Sequence, residues 1–495
     1  MIIFPTSDGT SWVYKASPVN ATPVEILCKI FSDAINSHLL PCEQNPSPYR
    51  RNSELLHLTA VCKRWRSVAS GCATLWNTIA FSTSVQSTVE CALFFLGRSK
   101  ETMLFLHIVD SGTPRRPEAA RYCRELIKMI VIQSHRLSSC EFSSPYTDFW
   151  SYWSLPAPNL RKLVVHGREA LPIFGGRLPQ LETLISTFYV PWPLGNYTSL
   201  RQVDLRNNGQ YHITLTLLLN ALRGCEALEK LSLHGYARLD NGTPRSSTVS
   251  LPRLSELELF SSDSALILEH LQTPSLTGPV VIFDSNPKDH ILRSLPRVQR
   301  YVPYLEGITK LSIVLNSHTM QFSLTGYRED GIVALYIGAC GVENWYRWTW
   351  VRASIQAVAL FAHFSGIRNL MLSTDAPIVP WNLWLPNLNN VVELAISCPR
   401  SEILLLDLQA TSPEDGLLPC PSLESLALYR CGERAVVDHT RLMGFVISRY
   451  RAGRPLRELK LRKDEWDLMQ RRDKSWVALA QSQCACMNRE NRETY

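Results

Sequence analysis

Leu228-Glu229-Lys230-Leu231-Ser232-Leu233-His234 is the stretch on which the reading of this chain turns. Leu231 and Leu233 alternate with Lys230, Ser232 and His234, the period-two pattern of a strand with one buried face, and Leu228 stands three residues ahead. A strand this short cannot bury that face alone. Working outward, the same form recurs. It reads Leu160/Leu163/Val165, Leu181/Leu184 and Leu200/Val203/Leu205 before this stretch, and Leu254/Leu257/Leu259 just after it. Further on come Ile308/Leu311/Ile313, Ile367/Leu370/Leu372, Val391/Leu394/Ile396, Leu423/Leu426/Leu428 and Leu456/Leu459/Leu461.

Units starting at Leu137, Leu160, Leu181, Leu200, Leu228, Leu254 and Leu276 lie about 19 to 28 residues apart, the period of leucine-rich repeats. Each turn supplies half a core, so neighbouring turns must stack. The expected fold over residues 81–463 is therefore an α/β solenoid, a degenerate leucine-rich-repeat array with one long parallel sheet. The period fails between Ile313 and Ile367, and an irregular unit is expected near residues 317–364. Strands are predicted there at Met320–Thr325 and Ile332–Ile337, and a helix at Arg352–Phe364. Residues 464–495 are charged and lack the period, and are expected to form a terminal cap and tail.

At 495 residues the chain exceeds what one hydrophobic core serves, which also favours several domains or a repeat array. Its 51 Lys and Arg against 44 acidic residues give a net charge of +7, too dilute to indicate nucleic acid. The start, Met1-Ile2-Ile3-Phe4-Pro5, lacks the basic segment of a secretory signal. The densest apolar window, Ile355–Phe364, is about half the length needed to span a bilayer. The expectation is a cytoplasmic or nuclear protein with no membrane segment, a flexible N-terminus over residues 1–19, and its 14 Cys as free thiols.

Ahead of the repeats lies a segment of another kind. Pro23 suits the first turn of a helix, because its missing N–H costs nothing there. Val24, Leu27, Cys28 and Phe31 form one apolar stripe, and Ile26 and Ile30 a second, offset from it. A short helix apolar on two sides needs two covers, one from its own domain and one that a partner could supply. The Pro-rich stretch 36–52 is read as a loop and Ser53 as the N-cap of a second helix. That helix carries Leu55, Leu58, Val61, Cys62, Trp65, Val68 and Ala69, with Gly71 as its stop.

The Pro-led helix, Val61-Cys62-Lys63-Arg64-Trp65 and the Leu75-Trp76 pair together resemble the F-box, over residues 20–80. That resemblance implies an all-α module docking onto the Skp adaptor of an SCF-type ubiquitin ligase, and through it onto a cullin scaffold. It implies adaptor contacts by Pro23, Ile26, Leu27, Ile30, Phe31, Val61, Cys62 and Trp65. Thr22 replaces the Leu usual before the Pro, and the loop after Phe31 is longer than in compact F-boxes. An F-box ahead of degenerate leucine-rich units is similar to a group of fungal F-box-like proteins. Phe94-Phe95-Leu96-Gly97-Arg98-Ser99 before the strand at Met103 is similar to the junction in that group. The implied role is a substrate-recognition subunit that binds a target protein through its repeats, with ubiquitin transfer carried out by other subunits.

No phosphate-cradling Gly-rich loop, nucleophile-elbow Ser or His-Glu-x-x-His pair is present, and the 12 His are isolated from one another. Cys484-x-Cys486 offers at most two metal ligands. No enzymatic activity, cofactor or metal is expected. In each unit the residue between the last two apolar positions points away from the core: Asp204, Ser232, Glu258, Ser312, Met371, Ala395, Ala427 and Lys460. That set turns small and apolar toward the aromatic run Trp345-Tyr346-Arg347-Trp348-Thr349-Trp350. The target site is therefore expected around Trp345, Arg347, Trp348, Met371, Tyr429 and Lys460. Two other readings stand beside this one: an adaptor-binding scaffold without a role in degradation, and a repeat-type nucleic-acid-binding protein should the basic residues line the strand face.

Overall fold

The alternation at Leu231 and Leu233 is realised as parallel strands paired in register, so that apolar residues stack on apolar residues across neighbouring strands. The computed structural model describes residues 2–5, 12–15, 21–36, 48–109, 117–143, 151–167, 173–187, 194–206, 214–235, 248–260, 264–284, 307–316, 321–340, 366–375, 381, 385, 388–398, 401–409, 418–430, 438–462, 467 and 486–490. The chain divides into two units, Met1–Tyr211 and His212–Tyr495.

In the first unit β1 (Ile2–Pro5) and β2 (Trp12–Lys15) pair as an antiparallel hairpin, Ile2 opposite Lys15 and Pro5 opposite Trp12. Residues 1–19, expected as a flexible N-terminus, hold this hairpin. Up to its last residue each segment is β-branched or aromatic, and Asp8-Gly9 between them is a turn signal. Three helices follow: α1 (Val24–Asn36), α2 (Pro48–Val61) and α3 (Lys63–Gly71), then a 3-10 turn at Ala73–Trp76. The predicted single helix from Ser53 to Gly71 is thus two, and Ser53 is interior because α2 starts at Pro48. Gly71 does end α3.

The unit then alternates β3 (Thr78–Ser82), α4 (Gln86–Arg98), β4 (Leu104–Val109), α5 (Pro117–Ile132) and β5 (Leu137–Ser143). It continues through β6 (Lys162–His166), β7 (Thr183–Ser186) and β8 (Gln202–Arg206). These six strands are parallel, in chain order. Two core rows cross them. One runs Ile79, Leu106, Cys140, Leu163, Leu184, Val203, and the other Phe81, Ile108, Phe142, Val165, Ser186, Leu205. Every member is buried. Each Val, Leu, Ile or Phe among them contributes roughly 1.5–3 kcal/mol relative to an exposed one, and only because its neighbour occupies the next strand.

The second unit opens with α6 (Leu215–Leu222), whose N-cap Thr214 Oγ1 accepts from Leu217 N at 3.2 Å. Then come β9 (Lys230–His234), β10 (Val249–Ser250), β11 (Glu256–Phe260), α7 (Ser264–His270), β12 (Leu271–Gln272) and β13 (Val280–Asp284). Beyond them lie β14 (Lys310–Asn316), β15 (Gln321–Tyr327), β16 (Val333–Cys340), β17 (Asn369–Thr374) and β18 (Glu393–Cys398). The unit ends with α8 (Ser401–Gln409), β19 (Ser425–Arg430), α9 (His439–Arg451), β20 (Glu458–Arg462) and β21 (Cys486–Glu490). β10 and β12 pair with each other. The others run in the order β9, β11, β13, β16, β15, β14, β17, β18, β19, β20, β21.

That order corrects the expectation of an all-parallel sheet. β15 is antiparallel to both β14 and β16. The cause is connection length, since parallel neighbours need a crossover of about a dozen residues. Between β15 and β16 the chain reverses in a tight turn, with Gly331 at φ 80° and Arg328 N donating to Ile332 O at 3.0 Å. The core row survives the reversal: Leu335 lies opposite Gly326, and Gly326 opposite Leu311. A Cβ on Gly326 would come within 2.8 Å of Ile308 Cδ1, so glycine is what lets that isoleucine fill the row. Both predicted strands of the irregular unit are present. The helix predicted at Arg352–Phe364 lies outside the described residues. The expected tail supplies a strand, β21, parallel to β20.

Candidate adaptor-docking site

Pro23 starts the module by offering its carbonyl to Leu27 N at 3.0 Å. One side of α1 is packed away. Leu27, Phe31 and Ile35 are buried, and the Phe31 ring meets Trp65 at 4.9 Å between centroids, tilted by 54°. The other side is open: Ile26 is 49% and Ile30 47% exposed, one helical turn apart on one face. Val24, assigned to the first stripe, is exposed as well.

The break between α2 and α3 falls on Cys62, whose backbone is extended at φ −158°, ψ 168°. Its Sγ accepts from Trp65 N at 3.4 Å, and its carbonyl accepts from Arg66 N at 3.0 Å, so this cysteine caps α3. The break leaves Val61 and Cys62 exposed at the helix junction. Arg66 Nε donates to Thr59 O at 3.0 Å, and Arg64 Nη2 donates to Thr22 O, tying the junction to the start of α1. Trp76, fully buried, donates from Nε1 to Ala69 O at 2.7 Å and sits edge-on to Phe95 at 4.9 Å. Arg98 lies over the Trp76 ring at 5.3 Å and the Phe94 ring at 4.3 Å. The Phe94–Ser99 junction thus locks the module onto β3. Burial, with Cys72 beside it, pushes the Cys28 thiol up to about 11.

Of the eight residues implied as adaptor contacts, Pro23, Ile26, Ile30, Val61 and Cys62 are exposed, Trp65 is half-buried, and Leu27 and Phe31 are in the module's own core. Those last two hold α1 in place rather than presenting a surface, since both are buried and Phe31 packs against Trp65.

On the strand faces, Met371 is 38% exposed, while Tyr429 and Lys460 are half-buried. Lys460 Nζ pairs with Glu458 Oε2 at 3.1 Å. Trp345, Arg347 and Trp348 lie outside the described residues. Among the outward positions, Asp204, Ser312 and Ala427 are buried. Ser232 Oγ stands 2.9 Å from His234 Nε2 and donates to Glu258 Oε2 at 3.0 Å. The carboxylate therefore engages the serine rather than orienting the imidazole, which is not the connectivity of a nucleophile-base-orienter relay.

Register also gathers residues that look isolated in the sequence. His107 Nδ1 lies 3.3 Å from Glu141 Oε1, and Tyr49 of α2 sits edge-on to His107 at 5.9 Å. His166 shares this neighbourhood: burial lowers its affinity for a proton, with Glu141 and Asp204 acting against that and Arg206 and His107 with it. No signal short of strand register could have joined them. Cys140, Cys225 and Cys420 are buried free thiols, and burial pushes the latter two up to about 12. Among the described residues there is no group of three or more His, Cys, Asp or Glu side chains able to hold a metal ion, and no helix long and apolar enough to cross a membrane.

Compared with known families, residues 23–82 match a family model described as F-box-like, so this part of the chain is an F-box-like domain. It spans α1 to β3, the same helices whose geometry is given above. No curated protein matches the chain.

Proposed function

We propose that the chain is a substrate-recognition subunit of an SCF-type ubiquitin ligase, docking to a Skp adaptor through residues 23–82 and reaching a cullin scaffold through it. One observation carries the reading: within an F-box-like domain, α1 buries Leu27 and Phe31 and leaves Ile26 and Ile30 half-exposed on the stripe beside them. Two isoleucines a turn apart on a surface helix are the apolar anchor a helical partner covers. The in-register apolar rows within each unit support reading the rest of the chain as leucine-rich-repeat-like and solenoidal, with strand faces that hold a target protein. Proximity then accelerates ubiquitin transfer, with the chemistry supplied elsewhere in the cytoplasmic or nuclear complex.

The test is co-expression of the full chain with a Skp adaptor, followed by calorimetry on the purified proteins. Ile26→Glu combined with Ile30→Glu is expected to weaken binding by about a thousandfold, since about 2 kcal/mol per anchor is lost. Circular dichroism and the melting temperature are expected to stay at their original values. A folded wild-type chain that does not bind the adaptor refutes the reading. An intact complex that transfers ubiquitin to none of the proteins it captures identifies the scaffold reading instead.

A further inference from the structure

α5 uses one face inside the first unit and leaves two stripes outside. Cys123, Leu126, Ile127 and Ile130, at i, i+3, i+4 and i+7, are buried, and α5 packs against α4. On the outer side run Tyr122, Glu125, Met129 and Ile132, at i, i+3, i+7 and i+10, a line of about 15 Å at the usual helical rise. Its three apolar members are 48%, 45% and 70% exposed. A second stripe lies alongside it: Arg121, Arg124 and Lys128, at i, i+3 and i+7, all exposed. Lys128 Nζ holds Glu125 Oε1 at 3.1 Å, so the carboxylate of these two stripes is already engaged. Among the described residues no carboxylate pairs with Arg121 or Arg124.

The charge here is local and permanent. Residues 115–132 hold five cations, Arg115, Arg116, Arg121, Arg124 and Lys128, against two carboxylates, Glu118 and Glu125, so +3 of the chain's net +7 falls in this one segment. None of it depends on a histidine. Tyr, Met and Arg are also the side chains that enrich the centres of protein–protein contacts. A lipid surface would need the main apolar stripe of the helix, and Leu126, Ile127 and Ile130 are already in the core. A nucleic acid would take the cations and gain nothing from Met129 and Ile132.

We propose that the outer face of α5 is a docking surface for an acidic amphipathic helix of a partner protein. The apolar stripe of that helix covers Tyr122, Met129 and Ile132, and its carboxylates meet the two unpaired guanidinium groups of Arg121 and Arg124. Charge steers the encounter, so affinity falls as salt rises, while the apolar contacts fix which face of the partner is taken. The inference goes beyond the receptor reading and does not rest on it, because Ile26 and Ile30 belong to α1 and none of the α5 residues is an adaptor contact.

The experiment uses the full chain and three fluorescent peptides of about 18 residues, long enough to form a helix, measured by anisotropy. The first sets Leu at every third or fourth position among Glu. The second replaces each Glu by Lys, and the third keeps the composition of the first but scatters its Leu around the helix. The first is expected to bind, and the other two about tenfold more weakly or less. Met129→Glu with Ile132→Glu is expected to weaken the first peptide about thirtyfold, and Arg121→Glu with Arg124→Glu about tenfold with a smaller salt dependence. All four positions are exposed, so circular dichroism should not change. Ile26→Glu with Ile30→Glu is expected to leave peptide binding intact. The inference is overturned if the first peptide does not bind, if the Lys or the scattered peptide binds equally well, or if affinity survives either α5 double substitution. Loss of binding in the Ile26 and Ile30 variant overturns it too, as does tighter binding of phosphatidylserine vesicles or a single-stranded RNA to α5. Adaptor affinity of the α5 variants is expected to stay unchanged. A chain that takes the peptide but no adaptor refutes the receptor reading and leaves this inference standing.

Discussion

Arg136 in the first unit and Arg449 in the second do the same work with different partners. Each reaches back to the turn that precedes the previous strand. Arg136, just ahead of β5, donates from Nε to Thr102 O at 2.9 Å, from Nη2 to Ser99 Oγ at 2.9 Å, and from Nη1 to Gln133 Oε1. Arg449, in α9 ahead of β20, lies 5.9 Å from the Phe445 ring and donates its hydrogen bonds to carbonyls. Its Nη2 donates to Leu423 O at 2.9 Å, its Nη1 to Cys420 O at 3.2 Å, and its Nε to Arg454 O at 3.2 Å. Burial lowers the proton affinity of both. For Arg136 the charge of Glu101 opposes that shift; for Arg449 Cys420 opposes it and the like-charged Arg454 adds to it. The segments ahead of successive parallel strands leave carbonyls turned inward, and a forked five-donor cation satisfies several at once. Where a hydroxyl and an amide are at hand the staple shares the load. Where none is, it sits on a turn whose own residue, Cys420, is held at φ 49°.

The sharpest way to break the comparison is Arg449→Met. If the staple matters for its hydrogen bonds, the substitution orphans several buried carbonyls and costs about 3 kcal/mol. Because the chain has two units and a global unfolding curve need not be two-state, the readout is hydrogen exchange at β19 and β20, expected to speed up locally. A neutral or stabilising result means desolvation of the guanidinium cancels its bonds, as with some buried ion pairs, and the two arginines are then not equivalent. Arg136→Met should cost less, about 2 kcal/mol, read at β4 and β5, because Ser99 and Gln133 can pair elsewhere while the orphaned carbonyls of the other site cannot. Neither effect should vary between about pH 5 and 9, since arginine stays charged throughout.

Neither staple is legible in the sequence. Arg449 sits among Arg441, Arg451 and Arg454 in a helix that looks solvated on one side, and burial at that position depends on how far the preceding turn reaches. The same limit explains the other gaps. The Leu-x-Leu strands are local, period-two patterns, so strands stand where the alternation puts them, as at β8, β9, β11 and β17. The antiparallel passage through β14, β15 and β16 shows as strands but not as an order, because pairing depends on connection length rather than composition. The helical period from Leu55 to Ala69 runs straight through Cys62, yet the backbone opens there, since a capping thiol and an N–H two residues into the next helix outweigh one more helical turn. At the docking module the second stripe, Ile26 and Ile30, is legible as a face needing outside cover. Val24 is not, because at the first turn of a helix there is little behind it to pack against. The imidazole-bearing strand face is invisible for a third reason: His107 and His166 meet Glu141 only through the register of β4, β5 and β6.

The smallest change sharpens the comparison most. Ser99, fully buried at the end of α4, uses its hydroxyl twice: it donates to Leu96 O at 2.8 Å and accepts from Arg136 Nη2. Ser99→Ala removes one acceptor and leaves an arginine N–H buried without it, a loss of about 1 kcal/mol. The helix end itself should hold, because Ser99 N still donates to Phe95 O at 2.9 Å and Ser99 O still accepts from Thr102 N at 3.0 Å. Combining Ser99→Ala with Arg136→Met gives a double-mutant cycle. If the hydroxyl is part of the staple, the pair costs clearly less than the sum of the two, since once the arginine is gone the hydroxyl has only Leu96 to lose. Simple additivity would mean that Ser99 serves α4 alone. Arg136 would then hold its turn through a backbone carbonyl and Gln133, nearer in kind to Arg449 than the hydroxyl contact suggests.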